Sequence, residues 1–460
     1  MLLRFRNSRS VAVIDLGFGD AGKGLCTDYL CATAAESPQA RIVNVRFNGG
    51  AQAGHSVVLA DGRAHTFSQI GAGSFRPGVR TVLAHPVLVH PGALLREAAL
   101  LEKKGVGGIL RRLHIDGRCR VITPFHQAYG RLLEWQRGAQ AHGSCGVGIG
   151  ACVEDWISEP GACLRYEDFS DNDSVRRKAR QAQSRLLGRL GDLRWLHDLP
   201  PTAREAASFE LQLLEDSTVT ERWLAQCAPL AASVSANSAE AIGALLADAS
   251  HIVWEGAQGI LLDQDVGFHP HTTWSEVRPQ AAMRVARDYG LRDDFITIAV
   301  LRSYMVRHGA GPLPTEDVAL SPLLEPHNSD DGWQGKFRRG HLDFVLLRYA
   351  LRACAGAVDA LMLTHADALA RASLRTCDSY ADVNDEPALL TMPSLAERVA
   401  QTQALMRARP QYSSAPVRDE GGLLSTVEAK LQLPVWRSST GPTATHVAPR
   451  LTAQDGPTTH

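Results

Sequence analysis

Residues 11–24 constrain the fold of this chain more than any other stretch. Their sequence, VAVIDLGFGDAGKG, is an apolar run followed by a turn with four glycines, and a helical pattern follows from residue 25. This succession predicts a buried strand, a tight turn and a helix. The backbone N–H groups of such a turn, together with the positive end of the helix, bind anions, most often phosphate. The sequence therefore predicts a phosphate-binding site at the end of a central strand.

The turn matches two phosphate-binding motifs at once: G-x-G-x-x-G through Gly17, Gly19 and Gly22, and G-x-x-x-x-G-K through Gly17, Gly22 and Lys23. Both matches are incomplete. The first motif expects an acidic residue at the end of the second strand, where this chain has Arg46. The second expects Ser or Thr after the lysine as a magnesium ligand, where this chain has Gly24. The motifs predict a phosphate site and leave the class of enzyme open.

A carboxylate, Asp20, stands inside this turn, three residues before Lys23. A carboxylate in that place can hold a metal ion or accept a proton, beside phosphates whose charge the lysine neutralises. Asp20 is therefore the first candidate for a catalytic residue.

Composition narrows the class of protein. The 460-residue chain has 48 basic and 49 acidic residues, a net charge of −1, so no bulk field attracts nucleic acid or an anionic membrane. No run of about 18 apolar residues is present to span a bilayer. Nine cysteines without a C-x-x-C pair indicate a reducing compartment. We expect a cytoplasmic protein that acts on small molecules and binds neither nucleic acid nor membrane.

Strand-like and helical patterns alternate along the chain. Strands are predicted at residues 11–16, 42–46, 81–84, 120–123, 252–255, 295–301, 360–364 and 433–437, and helices at 92–104, 204–214, 222–230, 239–247, 279–289, 342–353, 394–407 and 423–431. Such alternation predicts an α/β fold, with a large, mostly parallel central sheet, a P-loop-like nucleotide site and helices on both faces.

The domain organisation follows from the same patterns. We expect one domain over residues 11–451, flexible ends at residues 1–10 and 452–460, and a helical excursion without a strand at residues 171–250. Residues 328–340 are predicted to be a long polar loop and a mobile element of the site.

A second site-like stretch, RFNGGAQAGHS at residues 46–56, follows the second predicted strand. Its small residues let the backbone approach a ligand, and His55 is placed to donate or accept a proton. Ligands of open parallel sheets bind where the strands end, next to the phosphate loop in this case. His55 is therefore a candidate site residue.

These stretches together resemble the adenylosuccinate synthetase family. The family's first two patterns are GDEGKGK and R-[YF]-x-G-G-x-N-A-G-H, and this chain has GDAGKG at 19–24 and RFNGGAQAGH at 46–55. The resemblance continues in order through EGAQGILLD at 255–263, GAGPLPTE at 309–316, GHLD at 340–343, THAD at 364–367 and STGP at 439–442. Seven blocks in family order make the resemblance specific.

The resemblance implies a ligase that joins aspartate to inosine monophosphate (IMP), using GTP and Mg²⁺. In that reaction the purine 6-oxygen is phosphorylated by the γ-phosphate, and the aspartate amine then displaces the phosphate. Asp20 matches the family's base and, with the carbonyl of Gly54, its magnesium ligands, and His55 matches the family's acid. The phosphate cradle would comprise Gly19, Gly22, Lys23, Gly24, Gly54 and Ser56.

The resemblance also assigns the substrate contacts. Gln258 matches the glutamine that contacts the hypoxanthine, and Gln52 and Thr273 match two nucleotide contacts. Asp367 matches the guanine-binding carboxylate, beside His365, and Ser439 and Gly441 lie in the last nucleotide block. With one deletion in the alignment, Lys336 falls on the aspartate-binding arginine and Arg338 on the arginine that reaches GTP, in the loop that closes on aspartate. The family's homodimer implies a homodimer here.

Several positions depart from the family. The phosphate-binding threonine of G-T-T-G-R is Cys145, with Ser144 beside it as a possible replacement, and an arginine that reaches the neighbouring subunit's site is Glu159. His308 replaces a pocket valine, and His365 replaces a lysine that packs on guanine. The two lost phosphate ligands indicate weak binding of IMP, or an acceptor with a different 5′ group, a nucleoside or a base.

Alternatives remain open at this point. Within the ligase class, the chain is either an adenylosuccinate synthetase or a paralogue with another acceptor. A guanine-nucleotide acceptor ranks lower, because phage relatives that use one replace the base aspartate with a small residue and Asp20 is present. An NADP-dependent oxidoreductase would explain G-x-G-x-x-G with Arg46, but none of the later blocks. A non-catalytic nucleotide-binding regulator would predict loss of Asp20 or His55. The sequence does not distinguish GTP from ATP.

Overall fold

The computed structural model describes residues 8–292, 294–323, 325, 328, 333–381, 387–389 and 393–450. The predicted tail at 452–460 and the first seven residues lie outside these ranges. The described strands are β1 (Ser10–Asp15), β2 (Ile42–Arg46), β3 (His55–Val58), β4 (Ala64–Phe67), β5 (Arg80–Leu83), β6 (Leu88–Val89), β7 (Leu113–Asp116), β8 (Arg120–Val121), β9 (Ala236–Asn237), β10 (His251–Glu255), β11 (Phe295–Arg302), β12 (Met305–His308), β13 (Phe337–Gly340), β14 (Leu342–Asp343), β15 (Ala360–Thr364), β16 (Thr376–Tyr380), β17 (Pro410–Tyr412), β18 (Val435–Ser439) and β19 (Val447–Pro449).

The described α-helices are α1 (Lys23–Ala34), α2 (Pro91–Lys103), α3 (Pro124–Arg137), α4 (Ile149–Ser158), α5 (Asn172–Arg189), α6 (Pro201–Glu215), α7 (Val219–Ser233), α8 (Ala239–Asp248), α9 (Pro279–Asp288), α10 (Phe344–Ala353), α11 (Leu395–Arg407) and α12 (Glu420–Leu431). Within the described ranges, none of these helices has the length and apolar character that crossing a bilayer requires.

A ten-stranded sheet organises the molecule, in the order β19-β18-β15-β11-β1-β10-β2-β5-β7-β9. Its neighbouring strands run parallel, except that β19 is antiparallel to β18. The first strand of the chain therefore lies inside the sheet, between strands that come more than two hundred residues later. The carboxyl ends of β1, β10, β2, β11 and β15 meet along one edge, where ligands bind in such sheets.

Helices cover both faces of this sheet, as the sequence predicts. Alternate residues of β1 pack into different hydrophobic clusters: Val13 lies with Leu25 and Cys26 of α1, whereas Ala12 lies with Ile242 of α8. Because successive side chains of a strand point to opposite faces, this division places apolar helices on both sides. The α/β prediction is confirmed.

Most elements lie where the patterns predict them. Seven predicted strands of the large sheet agree with the structure within two residues at either end, and the eight predicted helices agree within three. The predicted strand at 120–123 begins at residue 120 but is shorter than expected, because β8 ends at Val121, and it pairs with β6 outside the large sheet. Thr123 instead caps α3, and Pro124 begins it.

Two further predictions need correction. Residues 171–250 are largely helical but contain the short strand β9, which pairs with β7 at the edge of the sheet. Of the predicted loop at 328–340, residues 329–332 lie outside the described ranges, and residues 337–340 are not loop, because β13 pairs antiparallel with β12. Helices α3 and α4 were not predicted, and α5 was predicted only as part of the helical excursion, without bounds of its own. In α5 only a narrow stripe, including Val175 and Leu186, is buried under an arginine- and glutamine-rich surface, so its apolar periodicity is weak.

Candidate active site

The phosphate loop between β1 and α1 is folded around a buried carboxylate, Asp15. Its Oδ1 accepts a hydrogen bond from the N–H of Gly17 at 2.8 Å, and its Oδ2 accepts one from the N–H of Ala21 at 2.9 Å. Lys23 Nζ lies 3.0 Å from the same Oδ2, and the Lys23 side chain is only 3% exposed. Asp15 therefore fixes the loop and holds the lysine at the point where the helix begins. Asp15 was not predicted as a site residue, although its place at the strand end, directly before the loop, was a usable signal.

Glycine is required at two positions of this loop for different reasons. Gly22 has φ 96°, a left-handed conformation that glycine adopts without strain. Gly24 has no such φ, but a Cβ atom there would lie 2.8 Å from the carbonyl oxygen of Ser56. Helix α1 thus packs directly on the backbone of β3. The Ser or Thr of an ordinary P-loop does not fit at this position.

Asp20 occupies the tip of the loop in a left-handed conformation, with φ 58°. Its carbonyl oxygen accepts a 2.6 Å hydrogen bond from Arg302 Nε, which fixes the backbone of the loop tip. Its carboxylate is 30% exposed, and Oδ2 lies 3.4 Å from Nε2 of His308. Burial works to raise the pKa of Asp20, but His308, Arg302 and Lys23 together lower it below its ordinary value. Asp20 is therefore an ionised carboxylate at neutral pH that faces the site.

His55 begins β3 and is held by Glu255 at the end of β10. Nδ1 of His55 makes a short hydrogen bond to Oε1 of Glu255, and Oε2 of Glu255 accepts one from the N–H of Ala72 at 3.0 Å. Burial opposes ionisation of Glu255, but the charges of Arg46 and His55 bring its pKa to about 2. Since Glu255 is ionised, Nδ1 of His55 donates, which leaves Nε2 for a ligand. Burial lowers the pKa of His55 to about 4, against the opposing effect of Glu255.

Two amide side chains meet beside Gly49, and neither is satisfied within the described chain. Both amide atoms of Gln52 and Oε1 of Gln258 are buried without a hydrogen-bond partner. A Cβ atom on Gly49 would lie 3.2 Å from Gln258 Oε1 and 3.4 Å from Gln52 Nε2, so the two amides lie against the same point. Buried amide groups without partners cost free energy, which a ligand with complementary donors and acceptors recovers. Gln258 has φ 59°, a left-handed conformation that is unusual for a residue with a side chain and that is common at functional sites.

Asn48 links the two loops that carry these amide side chains. Its Oδ1 accepts a hydrogen bond from the N–H of Ala257 at 2.8 Å, and its Nδ2 donates to the carbonyl oxygen of Glu276 at 3.0 Å. The loops after β2 and β10 are therefore tied to each other next to the site. Asn48 and Glu255 both lie in sequence blocks that were recognised, but neither was identified as a site residue.

The 143–146 loop carries Ser144 and Cys145 and is folded on Glu134 of α3. Oε2 of Glu134 accepts hydrogen bonds from the N–H groups of Gly143 at 2.9 Å and Ser144 at 3.1 Å. Burial raises the pKa of the Cys145 thiol to about 11, so it is a neutral, weak donor. Thr273 is fixed through its N–H, which donates to the carbonyl oxygen of Leu262 at 2.8 Å.

The residues predicted to meet the nucleotide base lie after β15 and β18. Thr364 Oγ1 donates to the carbonyl oxygen of Ala21 at 2.7 Å, which ties this edge to the phosphate loop. His365 has φ 57°, and burial lowers its pKa to about 3. Asp367 forms an ion pair with Arg371 through Oδ2. Ser439 Oγ donates to the carbonyl oxygen of Gly441 at 2.6 Å, which shapes the turn after β18.

The 333–336 loop and β13 carry the two cations predicted to meet aspartate and GTP. Lys336 is exposed, and its carbonyl oxygen accepts a 2.9 Å hydrogen bond from the N–H of Gly309. Arg338 is engaged within the protein, with NH2 2.5 Å from Oε2 of Glu316 and NH1 2.8 Å from the carbonyl oxygen of Gly311. The structure thus presents Lys336 to solvent and gives Arg338 a structural set of contacts. Their predicted roles in binding stay predictions.

The geometry defines a class of protein: an α/β protein with a glycine-rich loop of the phosphate-binding type at the end of β1 and two unsatisfied buried amides, those of Gln52 and Gln258, beside it. Residues 12–434 match the family model described as adenylosuccinate synthetase. The chain therefore belongs to the adenylosuccinate synthetase family, ligases that form carbon–nitrogen bonds.

Individual relatives agree with this assignment. The chain is 30% identical over 413 residues to the adenylosuccinate synthetase of Ectopseudomonas mendocina, with 88% of each chain covered. It is 28% identical over 453 residues to that of Coxiella burnetii, with 96% of this chain and 97% of the relative covered.

Two solved structures share the fold. The fully ligated adenylosuccinate synthetase of Plasmodium falciparum has a TM-score of 0.70 at 21% identity, and covers 96% of this chain and 100% of that chain. The cyanophage S-2L succinoaminodeoxyadenylate synthetase, bound to dGMP and dATP as an energy donor, has a TM-score of 0.58 at 17% identity. The match covers 97% of this chain and 96% of that chain. The ligase prediction from the sequence is confirmed at the level of the family.

Proposed function

We propose that this chain phosphorylates the 6-oxygen of IMP, or of a closely related 6-oxopurine, with the γ-phosphate of GTP, after which aspartate displaces the phosphate. The observation that carries the proposal is the pair of unsatisfied amides at Gln52 and Gln258 beside the phosphate loop. A 6-oxopurine has adjacent N–H and C=O groups, and an amide side chain pairs with such an edge through both its donor and its acceptor.

Asp20 would remove the proton from N1 of the purine while the 6-oxygen attacks the γ-phosphorus. The proton passes to a carboxylate oxygen, and the electrons of the N1–H bond become the C=N bond of the ring. The 6-oxygen forms the new bond to the γ-phosphorus while the bond from that phosphorus to the β–γ bridging oxygen breaks, and GDP leaves with the electrons of the broken bond. The lowered pKa of Asp20 ensures that the carboxylate is ionised and able to accept at neutral pH. Arg302 fixes Asp20 at the loop tip by donating a hydrogen bond to the carbonyl oxygen of Asp20.

Lys23 and His55 would stabilise the transferring phosphoryl group. Phosphoryl transfer depends mainly on positioning and on neutralising charge, and the lysine and loop N–H groups supply both. Nε2 of His55 faces the site because Nδ1 is committed to Glu255. A phosphoryl oxygen next to Nε2 favours the protonated imidazole, so His55 would donate a hydrogen bond there despite its low pKa in the free protein.

Asp20 and the exposed carbonyl of Gly54 are the groups that would hold Mg²⁺. Their hard oxygen atoms fit this ion, which in nucleotide sites takes one or two carboxylates and completes its shell with phosphate oxygens and water. The described part of the chain has no group of three or more His, Cys, Asp or Glu side chains that could hold a metal ion by themselves. When bound, the ion would neutralise charge on the β- and γ-phosphates.

GTP is the proposed phosphoryl donor. Asp367 keeps the carboxylate that can accept two hydrogen bonds from guanine, although Arg371 already contacts it. The energy donor named for the cyanophage structure is dATP. ATP therefore belongs in the same assay as the competing donor.

We also propose one domain over residues 11–451 and a cytoplasmic homodimer. All nine cysteines lie in the described residues and each is a free thiol, which supports a reducing compartment. The dimer rests on membership of the family, and sedimentation analysis of the purified protein tests it.

The decisive experiment measures phosphate release and the aspartate adduct, by mass spectrometry, with IMP, aspartate, Mg²⁺ and either triphosphate. Asp20→Ala should reduce adduct formation at least 10³-fold while calorimetry still detects nucleotide binding. The matched control is Asp61→Ala, an exposed aspartate between β3 and β4 that should leave the rate unchanged. Turnover by Asp20→Ala at the wild-type rate would exclude Asp20 as the base, and the absence of any adduct with wild-type protein would refute the proposed function.

A further inference from the structure

Trp333, at the start of the 333–336 loop, packs on side chains that belong to a different part of the chain. Its ring makes an edge contact with Trp135 of α3, with centroids 4.9 Å apart. The guanidinium carbon of Arg131, one turn earlier on α3, lies 5.5 Å from the centroid of the Trp333 ring. Aromatic pairs and cation–π contacts of this kind are both attractive. The 333–336 loop is therefore attached to α3 through one side chain.

The indole of Trp333 fits because residue 146 has no side chain. A Cβ atom on Gly146 would lie 2.7 Å from Cγ of Trp333, closer than any real contact of this kind. The carbonyl oxygen of Gly146 accepts a 2.9 Å hydrogen bond from Nε of Arg131, whose NH1 lies 2.5 Å from Oε1 of Glu210. The Arg131 side chain is 24% exposed, and its guanidinium group is fixed by these two contacts. Trp333, Arg131 and the 143–146 loop thus form one contact.

The other end of the 333–336 loop is held by the turn after β12. The N–H of Gly309 donates to the carbonyl oxygen of Lys336 at 2.9 Å. A Cβ atom on Gly309 would lie 2.2 Å from the carbonyl oxygen of Gln334, so the two backbones are in direct contact. A segment of four residues fixed at both ends has few conformations left. The loop that carries Lys336 is therefore attached to α3 at one end, through Trp333, and to the turn after β12 at the other.

We propose that Trp333 is a positioning residue that couples the acceptor side of the site to the amine-donor side. Its indole holds the 333–336 loop on the 143–146 loop, so that Lys336 and Ser144 keep one relative arrangement. The proposal rests on the proposed function, because it assigns the amine donor to Lys336 and the acceptor to the 143–146 loop. A change in either loop is then transmitted to the other through the Trp333 ring.

The binding experiment compares Trp333→Ala and Trp333→Phe with the wild type. Aspartate is titrated calorimetrically into protein that holds IMP and a non-hydrolysable GTP analogue. Trp333→Ala should weaken aspartate binding at least tenfold while the Kd of the GTP analogue changes less than twofold, and Trp333→Phe should recover most of the loss. The matched control is Phe209→Ala, a 65% exposed aromatic residue on α6 that should change neither value.

A second measurement does not depend on any ligand or on activity. Amide hydrogen exchange of the free protein should be faster in both the 333–336 and 143–146 loops of Trp333→Ala, and unchanged in Phe209→Ala. If wild-type protein forms no adduct but both loops exchange faster, the proposed function fails and the coupling stands. If exchange is faster in the 333–336 loop alone, or unchanged in both, the coupling is refuted, whatever the reaction is.

Discussion

His308 Nε2 lies 3.4 Å from Oδ2 of Asp20, so the carboxylate at the tip of the phosphate loop has a histidine partner from the end of β12. The same Nε2 lies 3.2 Å from Oδ1 of Asn328, and the His308 ring packs edge-on against Phe337 with centroids 4.7 Å apart. By the resemblance to the family's sequence pattern, His308 replaces a valine. The histidine therefore adds a charged partner to the residue on which the proposed chemistry depends.

This pair should give the protein a characteristic pH dependence of stability. Burial works to lower the pKa of His308, but Asp20 raises it above its ordinary value, so the pair stabilises the fold below about pH 6.5 and loses this contribution as the pH rises through the folded pKa. His308→Val removes the effect. Between pH 5.5 and pH 8.5 the wild type should lose more unfolding free energy than the variant, measured by urea denaturation. His197→Val, on an exposed turn, serves as the control and should follow the wild type; equal pH profiles for His308→Val and wild type would contradict the prediction.

Gly24→Ala should destabilise the protein, because its Cβ atom would meet the backbone of Ser56 at 2.8 Å. Overpacking against rigid backbone typically costs about 1–3 kcal/mol of unfolding free energy. The control is Gly188→Ala on α5, where a Cβ atom meets nothing within 4 Å and should instead stabilise the helix by about 1 kcal/mol. Opposite signs are expected in urea denaturation, and equal effects of the two variants would refute the close packing of α1 on β3.

Glu255→Gln should reduce kcat about 100-fold in the adduct assay. The variant removes the anion that fixes Nδ1 of His55 as a donor and leaves the buried Arg46 without its partner charge. Because Glu255 raises the pKa of His55, its loss should also make protonation of His55 harder. Circular dichroism and urea denaturation establish how much folded protein each assay contains. A folded variant with unchanged kcat would exclude the role of Glu255 in orienting His55.

Lys336→Gln and Arg338→Gln should separate binding from structure. Lys336→Gln should raise the KM for aspartate about tenfold, since a hydrogen bond to a charged group contributes about 1.5–3 kcal/mol. Because Lys336 is exposed, the stability of the protein should not change. Arg338→Gln loses the ion pair to Glu316 and the bonds to the 309–311 turn, and should lower the unfolding free energy. If Arg338→Gln alone raises the KM for aspartate, Lys336 does not correspond to the family's aspartate-binding arginine, and the alignment of this loop with the family pattern is wrong.

Cys145→Thr should tighten the binding of IMP by about tenfold, measured by calorimetry. A neutral thiol is a weak donor, whereas a hydroxyl group at this place can donate to a phosphate oxygen. Cys145→Ala has no hydroxyl and is the control, which should bind no better than the wild type. Weaker binding in Cys145→Thr would indicate that the acceptor's 5′ group lies elsewhere.

Local sequence patterns predicted seven of the ten strands of the large sheet, helices on both faces and the two loops that carry Asp20 and His55. They gave α5 no bounds of its own within the helical excursion, because its buried stripe is narrow, and they missed β9, whose two residues are too few to form a pattern. The family resemblance supplied most of the candidate residues, including Gln258 and Lys336, and their roles stay predictions.

The partners of these residues could not be predicted, because they come from distant parts of the chain. Glu255 meets His55 only because β10 lies next to β2 in the sheet. His308 meets Asp20 through the strand that follows β11, and Trp333 meets Gly146 across two loops. Nothing in the local pattern encodes strand order, so the electrostatic surroundings of Asp20 and His55 required the structure.

The place of β1 has a consequence for biosynthesis. Ser10 pairs with Ile252 on one side and with Phe295 on the other, so this apolar strand has no neighbour in the large sheet until well over half of the polypeptide has left the ribosome. Pairing over such sequence separations is slow, and an exposed strand edge in the meantime is prone to aggregation. Nascent chains that stall before residue 300 should therefore depend on chaperones.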